Sequence, residues 1–410
     1  MRSDAVFDVA IGGGGTVGLA LACALADALG GDVRIALLDR GALNVAGGRD
    51  IRASALSAAS KRLLTTLGVW PAIADAAQPV TAIDITDSRL SDAIRPILLS
   101  YDNTLAPEEP ASYIVENERL RQALVAAAAA RPAIALMGSS PIESFAVDPY
   151  GVSIRLANAT LRAPFLVGAD GRASRLRDEA GLKVLRWSYP QTGIVTTVGH
   201  SKSHHGRALQ HFLPSGPFAI LPLTQNRSCI TWTEASAAAQ ELLGLEDGDF
   251  RAELARRFDY RLGEIVAVGA RAAWPLDMHL ARALVGERFA LIGDAARVVH
   301  PIAGQGLNLG LRDVAALTEV IADAARLGLD PGTQLVLERY ERWRRLDSAL
   351  SAATYDALNR LFSNDWALLR TARDFGLAVL DQLPALKRFL VAEAAGVTGE
   401  VPKLLRGERP

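Results

Sequence analysis

The stretch VAIGGGGTVGLALACALADAL, residues 9–29, constrains the fold more than any other part of the chain. Residues 7–11 form a short apolar run closed by glycines and read as a buried strand. The alanine- and leucine-rich segment 16–29 reads as a helix. A second apolar strand, residues 33–38, ends at Asp39. Strand, helix and strand in that order form the crossover unit of a parallel sheet. Each glycine of Gly13-x-Gly15-x-x-Gly18 has a physical task. Gly13 permits the tight turn, Gly15 lets a pyrophosphate approach the backbone, and Gly18 lets the helix lie close on the strand. Thr16 and Val17 open the helix, whose free N–H groups and positive dipole end attract phosphate. Asp39, with Arg40 beside it, stands where a dinucleotide site needs an acceptor for ribose hydroxyls. In this context the motif predicts dinucleotide binding; by itself it does not separate FAD from NAD.

A chain of 410 residues is too long for one small core and fits two or three domains. Residues 57–68 and 118–130 read as further helices of the first unit. From Val152 the texture changes. Residues 152–156, 160–167, 193–199, 208–213, 218–223 and 228–233 are short strand-like segments with turns between them. Such a run predicts an antiparallel sheet separate from the parallel unit. Helical texture returns at 242–258, residues 288–292 read as one more buried strand, and from 307 onward the pattern is mostly helical. The expected class is α/β of the α+β kind. A discontinuous Rossmann-like domain takes residues 1–185 and 280–345, an antiparallel-sheet domain takes 186–279, and a helical region takes 346–410.

Two further acids carry chemistry. LVGADGRASRLRDEAGL, residues 166–182, is strand, turn and helix, with Asp170-Gly171 at the turn. It reads either as a ligand contact by Asp170 or as a plain turn and helix cap with Ser174 and the arginines Arg175 and Arg177 in solvent. FALIGD, residues 289–294, is a buried strand ending in Asp294, at the sheet edge where open α/β folds bind ligands. HPIAGQGLN, residues 300–308, then turns into a helix. Its small residues let backbone amides reach a flat ring, and Pro301 stiffens the approach. One flavin explains both points. Asp294 would hydrogen-bond the ribityl chain, while Gly304, Gln305, Gly306, Leu307 and Asn308 meet the ring. The ring's reduced form carries negative charge, which a helix N-terminus stabilises.

These three fingerprints, in this order, resemble those of the single-component aromatic flavoprotein monooxygenases of the p-hydroxybenzoate hydroxylase type. DIRASAL (50–56), YIVENERLRQAL (113–124), QTGIVTTV (191–198) with the later HHG, HFLPSGPFAILPL (211–223) and the tail LPALKRFLVAEAAGVTGEVPKLLRGE (383–408) are similar to the ubiquinone-biosynthesis hydroxylases among them. The resemblance covers nearly the whole chain. It implies FAD held non-covalently along Gly13, Gly15, Gly18, Asp39, Arg52 and Asp294, with the ring against Pro301 and residues 304–308. It implies reduction by NADPH or NADH, a flavin C4a-hydroperoxide formed with O2, and oxygen transfer to an electron-rich phenol ring. The polyprenyl phenols of ubiquinone biosynthesis are the implied substrates, and other proteins of that pathway and a membrane surface the implied partners. The sequence departs from the pattern twice. Asn117 stands where many relatives outside the ubiquinone branch have an arginine, and Asp39 where many have glutamate.

The rest bounds the reading. A net charge of −1 offers no field for nucleic acid. Two distant cysteines, Cys23 and Cys229, fit a reducing cytoplasm better than a disulfide framework. No signal peptide is read at the start, and no window reaches the roughly 18 apolar residues of a membrane span, so a cytoplasmic protein, peripheral to the inner membrane at most, is expected. His200, His204, His205 and His211 are read as structural rather than metal ligands. His300, beside Pro301, is read the same way. Arg339, Arg342, Arg344 and Arg345, interleaved with acids, read as a solvated helix face. Lys387, Arg388, Lys403 and Arg406 mark an amphipathic tail suited to membrane or partner docking. Gln210, Phe212 and Pro222 are candidates for the substrate face of the sheet. No catalytic base is named, since a flavin with a phenol can run the oxygen transfer. The alternatives are the same chemistry on a small soluble phenol, a non-catalytic flavoprotein scaffold, and reduction of a prenyl chain.

Overall fold

The protein is described by a computed structural model that covers residues 5–44, 50–92, 95–258, 260–301, 304–364 and 366–410. The glycine motif sits in a six-stranded sheet. Its strands run in the order Ile134–Met137, Ile35–Leu38, Val9–Gly12, Leu166–Gly168, Phe289–Leu291 and Val285–Gly286. The first five are parallel and only the last is antiparallel. The chain starts in the middle of this sheet, builds outward to one side, then returns to build the other. The crevice where the direction switches lies between Val9–Gly12 and Leu166–Gly168. Three acids follow the carboxyl ends of strands in this sheet: Asp39, Asp170 and Asp294. Helices Thr16–Leu29 and Gly306–Arg326 pack on one another over the sheet. They come close because the contact is built on small residues: a Cβ on Gly310 would lie 2.7 Å from a methyl of Val17.

The segment from 152 to 167 does not join the large antiparallel sheet, as its texture suggested. Gly151–Arg155 and Thr160–Ala163 belong to a small four-stranded sheet with Ser144–Asp148 and Ala5–Val6. Pro164, which cannot donate to a ladder, separates them from Leu166–Gly168, a strand of the parallel sheet.

The second sheet has nine strands. Val184–His200, at 17 residues, is its axis; Arg227–Ala235, Gly216–Leu223 and Arg207–Leu213 follow on one side, and Ala272–Ala281 lies on the other. Its register against Ala272–Ala281 shifts between Ser188 and Thr192, around Pro190. Two strands, Ala82–Asp87 and Leu99–Asp102, come from within the first 185 residues, outside the expected 186–279 block. Ala82–Asp87 pairs in parallel with Arg207–Leu213. Helices Ser236–Gly244 and Asp247–Arg257 cover one face, around Phe218, Trp232 and Phe250. The other face looks toward the glycine motifs.

The 29-residue helix Gln334–Phe362 spans both halves. The Tyr340 hydroxyl donates to the Leu291 carbonyl (2.8 Å) in the parallel sheet, and Asn359 donates to the Gln191 side chain (3.1 Å) in the other. Its Arg344 is not a solvated arginine. It is 4 % exposed and binds Asp313 at 2.8 Å. After it come Ala367–Asp381, Pro384–Ala395 and the short Lys403–Arg406, which docks back on Ala58–Thr66. Among the described residues no helix is long and apolar enough to cross a membrane.

Candidate active site

A cavity of about 990 Å³ lies between the two sheets and reaches the C-terminal helices. At one end its wall is built around a glycine turn, with Arg52, Arg172 and Asp294 beside it. Gly13 has φ +119°, and a Cβ there would lie 2.3 Å from the Ala169 carbonyl oxygen; one on Gly18 would lie 1.9 Å from the Gly13 oxygen. Those two glycines are packing requirements. Gly15 differs: a Cβ there would meet nothing within 4 Å, because its position opens on the cavity. Gly15 also caps helix Thr16–Leu29, with no side chain on the free N–H groups, so the dipole end is left facing open space. Thr16 and Val17 line the same wall. Helix Gly306–Arg326 likewise begins without a side-chain cap; Pro301, Gly304 and Gln305 before it and Gly306 and Leu307 in its first turn line the cavity. Ile302 and Ala303 lie outside the described residues.

Asp39 accepts from the N–H groups of Gly14 and Gly41, both at 2.6 Å, and so ties the glycine turn to the end of the second strand. Arg40 is exposed, and neither residue is part of the cavity wall. The Asp170 carboxylate is used locally: it accepts from the Ser174 hydroxyl (2.5 Å) and the Leu176 N–H (3.2 Å), capping a short helix. Its neighbours Gly171 and Arg172 line the cavity instead. Arg177 of that helix is fully buried, not in solvent, and donates to the Ala295 carbonyl (3.1 Å).

Asp294 lines the cavity with its side chain open to solvent there, while the protein packed around it is dense enough to desolvate the carboxylate. Burial raises its carboxyl above the usual range, although Arg52, Arg297 and Arg172 pull the other way. The turn that carries it is fixed from three sides. The Gly293 N–H donates to Asp313 (2.9 Å), Arg177 holds the Ala295 carbonyl, and His279 meets the Asp294 carbonyl at 2.9 Å. Asp313 is fully buried between Arg297 (2.7 and 2.8 Å) and Arg344. Burial would raise its carboxyl, but the two guanidiniums outweigh that and hold it below the usual range.

Arg52 lines the wall between Asp50 (2.7 Å) and the Trp274 ring, whose centroid lies 5.2 Å from the guanidinium carbon. Asn117 holds this arrangement together, accepting from Ser54 (2.6 Å) and donating to Asp50 (3.1 Å). Asn308 is buried behind the wall rather than in it. Its amide accepts from the Ser57 N–H and the Ser60 hydroxyl and donates to Ala55 and Gln305. It fixes the helix start against strand Ala53–Ser57.

The far end is side chain. Ala208, Gln210 and Phe212, two residues apart on one strand, line it with Ala219 and Leu221 of the next. Pro222 is buried on the opposite face, as strand alternation requires. Phe212 stacks on Phe362 of the long helix, centroids 4.0 Å apart. Tyr101, its hydroxyl pushed up to about 12 by burial, and Leu99 come from the unexpected strands. Leu377, Leu380, Leu390 and Val391 of the last helices close the wall. The histidines are braces. The Gly206 N–H donates to His204 Nδ1 (2.9 Å), so Nε2 carries the proton toward the Leu223 carbonyl (2.7 Å). His200 bonds Lys202 and Ser228. His300 sits edge-on to Tyr189, and burial pushes it down to about 4.

An uncapped helix end beside an open glycine, a second uncapped end beside a small-residue turn, and a cavity-facing carboxylate between them fit an extended dinucleotide with a flat ring. The sequence pattern of the FAD binding domain family matches residues 6–349. The chain is 45 % identical over 409 residues to the ubiquinone hydroxylase UbiL of Rhodospirillum rubrum, covering 99 % of this chain and 94 % of that one. It is 34 % identical to the 3-demethoxyubiquinol 3-hydroxylase of Escherichia coli, with 95 % and 98 % covered. The structure superposes on the p-nitrophenol 4-monooxygenase of Pseudomonas putida with a TM-score of 0.79 at 19 % identity, covering 97 % of this chain and all of the other. The chain belongs to the FAD-binding family of flavoprotein monooxygenases. Within it, the chain falls among the hydroxylases of ubiquinone biosynthesis.

Proposed function

We propose that the chain hydroxylates the aromatic ring of a polyprenyl phenol, using FAD, O2 and NADPH or NADH. The observation that carries this reading is the apolar continuation of the cavity. Past the glycine-turn end it runs between the second sheet and the C-terminal helices, lined there by Ile85, Leu99, Phe212, Leu358, Leu377 and Leu390. A small phenol needs no such sleeve; a long apolar chain does.

FAD would be held with its phosphates against the N-terminus of Thr16–Leu29, its ribityl hydroxyls at Asp294 and its ring beside Gly304, Gln305, Gly306 and Leu307. Bound FAD supplies the redox chemistry, taking a hydride from the nicotinamide and activating O2. One oxygen atom enters the ring as a hydroxyl and the other leaves as water, with the two electrons drawn from the nicotinamide. The chain's residues bind and orient. The amides opening Gly306–Arg326 favour negative charge at the ring edge. The side-chain amide of Gln210 and the hydroxyl of Tyr101 are polar groups set among apolar ones on the sheet wall, where they would meet the phenol ring. A substrate of this kind lives in a bilayer, so the protein meets it at a membrane surface.

The test is the visible spectrum of the purified protein, followed by NADPH and NADH oxidation with phenols of increasing prenyl length. Flavin bands and an oxidation rate that rises with chain length are expected. Stimulation by unprenylated phenols alone assigns a small soluble substrate instead. Flavin without stimulation by any phenol leaves a scaffold.

A further inference from the structure

The two helices that close the apolar end of the cavity have a second face. Inward, Leu377, Leu380 and Val391 line the cavity. Outward, Phe375 is 71 % exposed and Phe389 57 %, with Val379, Leu383 and Leu386 also exposed. Phe375 and Val379 are one helical turn apart, as are Leu386 and Phe389, so each helix carries a row. Leu390 does both: it lines the cavity and is 45 % exposed. Contiguous apolar exposure of this kind marks an interaction surface.

We propose that the outward face of helices Ala367–Asp381 and Pro384–Ala395 is a phospholipid-docking surface, and that the tail of an amphiphilic substrate passes from the bilayer into the cavity between these helices. This rests on the substrate class proposed above. Three observations favour lipid over a protein partner. The face is the outer side of the cavity's own wall, so whatever covers it sits where an apolar chain must enter. Across the two helices the acids are Asp374, Asp381 and Glu393, and Asp381, between the two apolar rows, is bound by Lys387 at 3.0 Å. Arg388 is exposed and makes no ion pair among the described residues, which leaves an apolar face with a cationic edge, suited to anionic headgroups. Trp366, 78 % exposed, precedes the helix pair, and its ring suits the boundary between acyl chains and water. Lys403 and Arg406, by contrast, are engaged with Glu319 and Glu408 and take no part.

The experiment is flotation of the FAD-loaded protein with phosphatidylcholine vesicles, with and without phosphatidylglycerol. The wild type is expected to float with both and more with the anionic ones. A Phe375→Asp/Phe389→Asp double variant is expected to lower the vesicle-bound fraction by about tenfold, and Arg388→Glu to remove only the anionic preference. Both keep the flavin spectrum and turnover of a short-chain phenol. If the double variant loses flavin, Leu383→Asp alone is scored in its place. A wild type that stays unbound to both vesicles overturns the proposal, while its short-phenol turnover would leave the proposed function standing. Flotation without phenol-stimulated oxidation does the reverse. A dimer in solution that the double variant dissociates assigns the face to a second copy and overturns the proposal.

Discussion

The two ends of the cavity are built differently. The nucleotide end is shaped by backbone: a turn held by two glycines that nothing larger can replace, the open Gly15 and two bare helix ends, with Arg52, Arg172 and Asp294 set around them. The far end is walled by side chains from several strands and the last helices. A backbone wall is set by conformation, which only a few residue types permit, so it is rigid in geometry and narrow in sequence. A side-chain wall is set by volume and polarity, which many residues can supply. On the proposed reading, the common cofactor would bind at the end that tolerates little change, and the substrate would be chosen at the end that can be tuned.

The sharpest way to break this contrast is at the first glycines. Gly13→Ala puts a side chain at φ +119° and 2.3 Å from a carbonyl oxygen. Backbone strain of that kind alone is about 1–3 kcal/mol, and the clash adds to it. The variant is expected to purify without flavin absorbance and to bind FAD roughly a hundredfold more weakly. Gly15→Ala is the control, because its Cβ meets no protein atom within 4 Å. It should melt with the wild-type apoprotein yet still bind FAD less well. Equal loss of thermal stability in both would mean that Gly15 is a packing glycine too.

Next in size is Asp313→Asn, which leaves Arg297 buried without its counter-charge and Arg344 with Asp347 alone. Removing one partner of a buried ion pair costs roughly 3–5 kcal/mol. The variant should show a large drop in melting temperature, with flavin lost in parallel, since Asp313 also holds the Gly293 N–H. The sign with pH follows from a depressed carboxyl. Its stabilisation is present above the ordinary carboxylate pKa and is lost as pH falls through the lower folded value. Wild-type acid denaturation should therefore be shallower in the variant. An unchanged acid limb would remove Asp313 from this role.

How much of this was legible follows the same division. The glycines, the strand-helix-strand unit and the placement of Asp294 at a strand end could be read directly, because each is a local conformational demand written in a few residues. Asp170 was read either as a ligand contact or as a helix cap, and Asn308 as a ligand contact; their side chains cap a helix and brace a helix start, because where a motif's polar side chain spends its hydrogen bonds depends on residues far off in sequence, here Ser57 and Ser60 for Asn308. Arg344 was read as solvated, since periodicity shows a charged face but not the Asp313 it meets. The strands Ala82–Asp87 and Leu99–Asp102, which bring Tyr101 to the cavity, were missed for a related reason. They lie among residues of the other unit, and nothing local says which sheet they join. Pro222 shows the limit within one strand: the segment was found, but its face depends on register.

Asp294→Asn tests an acid that lines the nucleotide end beside Arg52 and Arg172. Its carboxyl is raised, so its contribution runs opposite to that of Asp313: stability is full below the ordinary carboxylate pKa and falls as pH rises through the higher folded value. In the flavin-free protein the variant should therefore melt higher at neutral pH and show less decline with rising pH. The holoprotein should bind FAD roughly tenfold more weakly, as expected for a hydrogen bond to a charged group of about 1.5–3 kcal/mol. A variant that weakens both, or neither, would show that Asp294 is not held for the ligand.

The smallest expected effect lies at the far end. The Gln210 side-chain nitrogen is buried and has no hydrogen-bond partner among the described residues, while the residue lines the cavity between Ala208 and Phe212. An unpaired amide N–H costs stability that an apolar group of similar length does not. Gln210→Leu should therefore raise the melting temperature slightly, by about 1 kcal/mol of stability, with the flavin spectrum unchanged. If that N–H waits for the oxygen of a phenol, KM for the phenol rises by roughly tenfold while NADPH oxidation without phenol stays as it was. Opposite signs on stability and substrate binding are what a side-chain wall built for a ligand predicts. A stabilised variant with unaltered KM would make Gln210 a packing residue and move the phenol's polar contact to Tyr101, where Tyr101→Phe repeats the measurement.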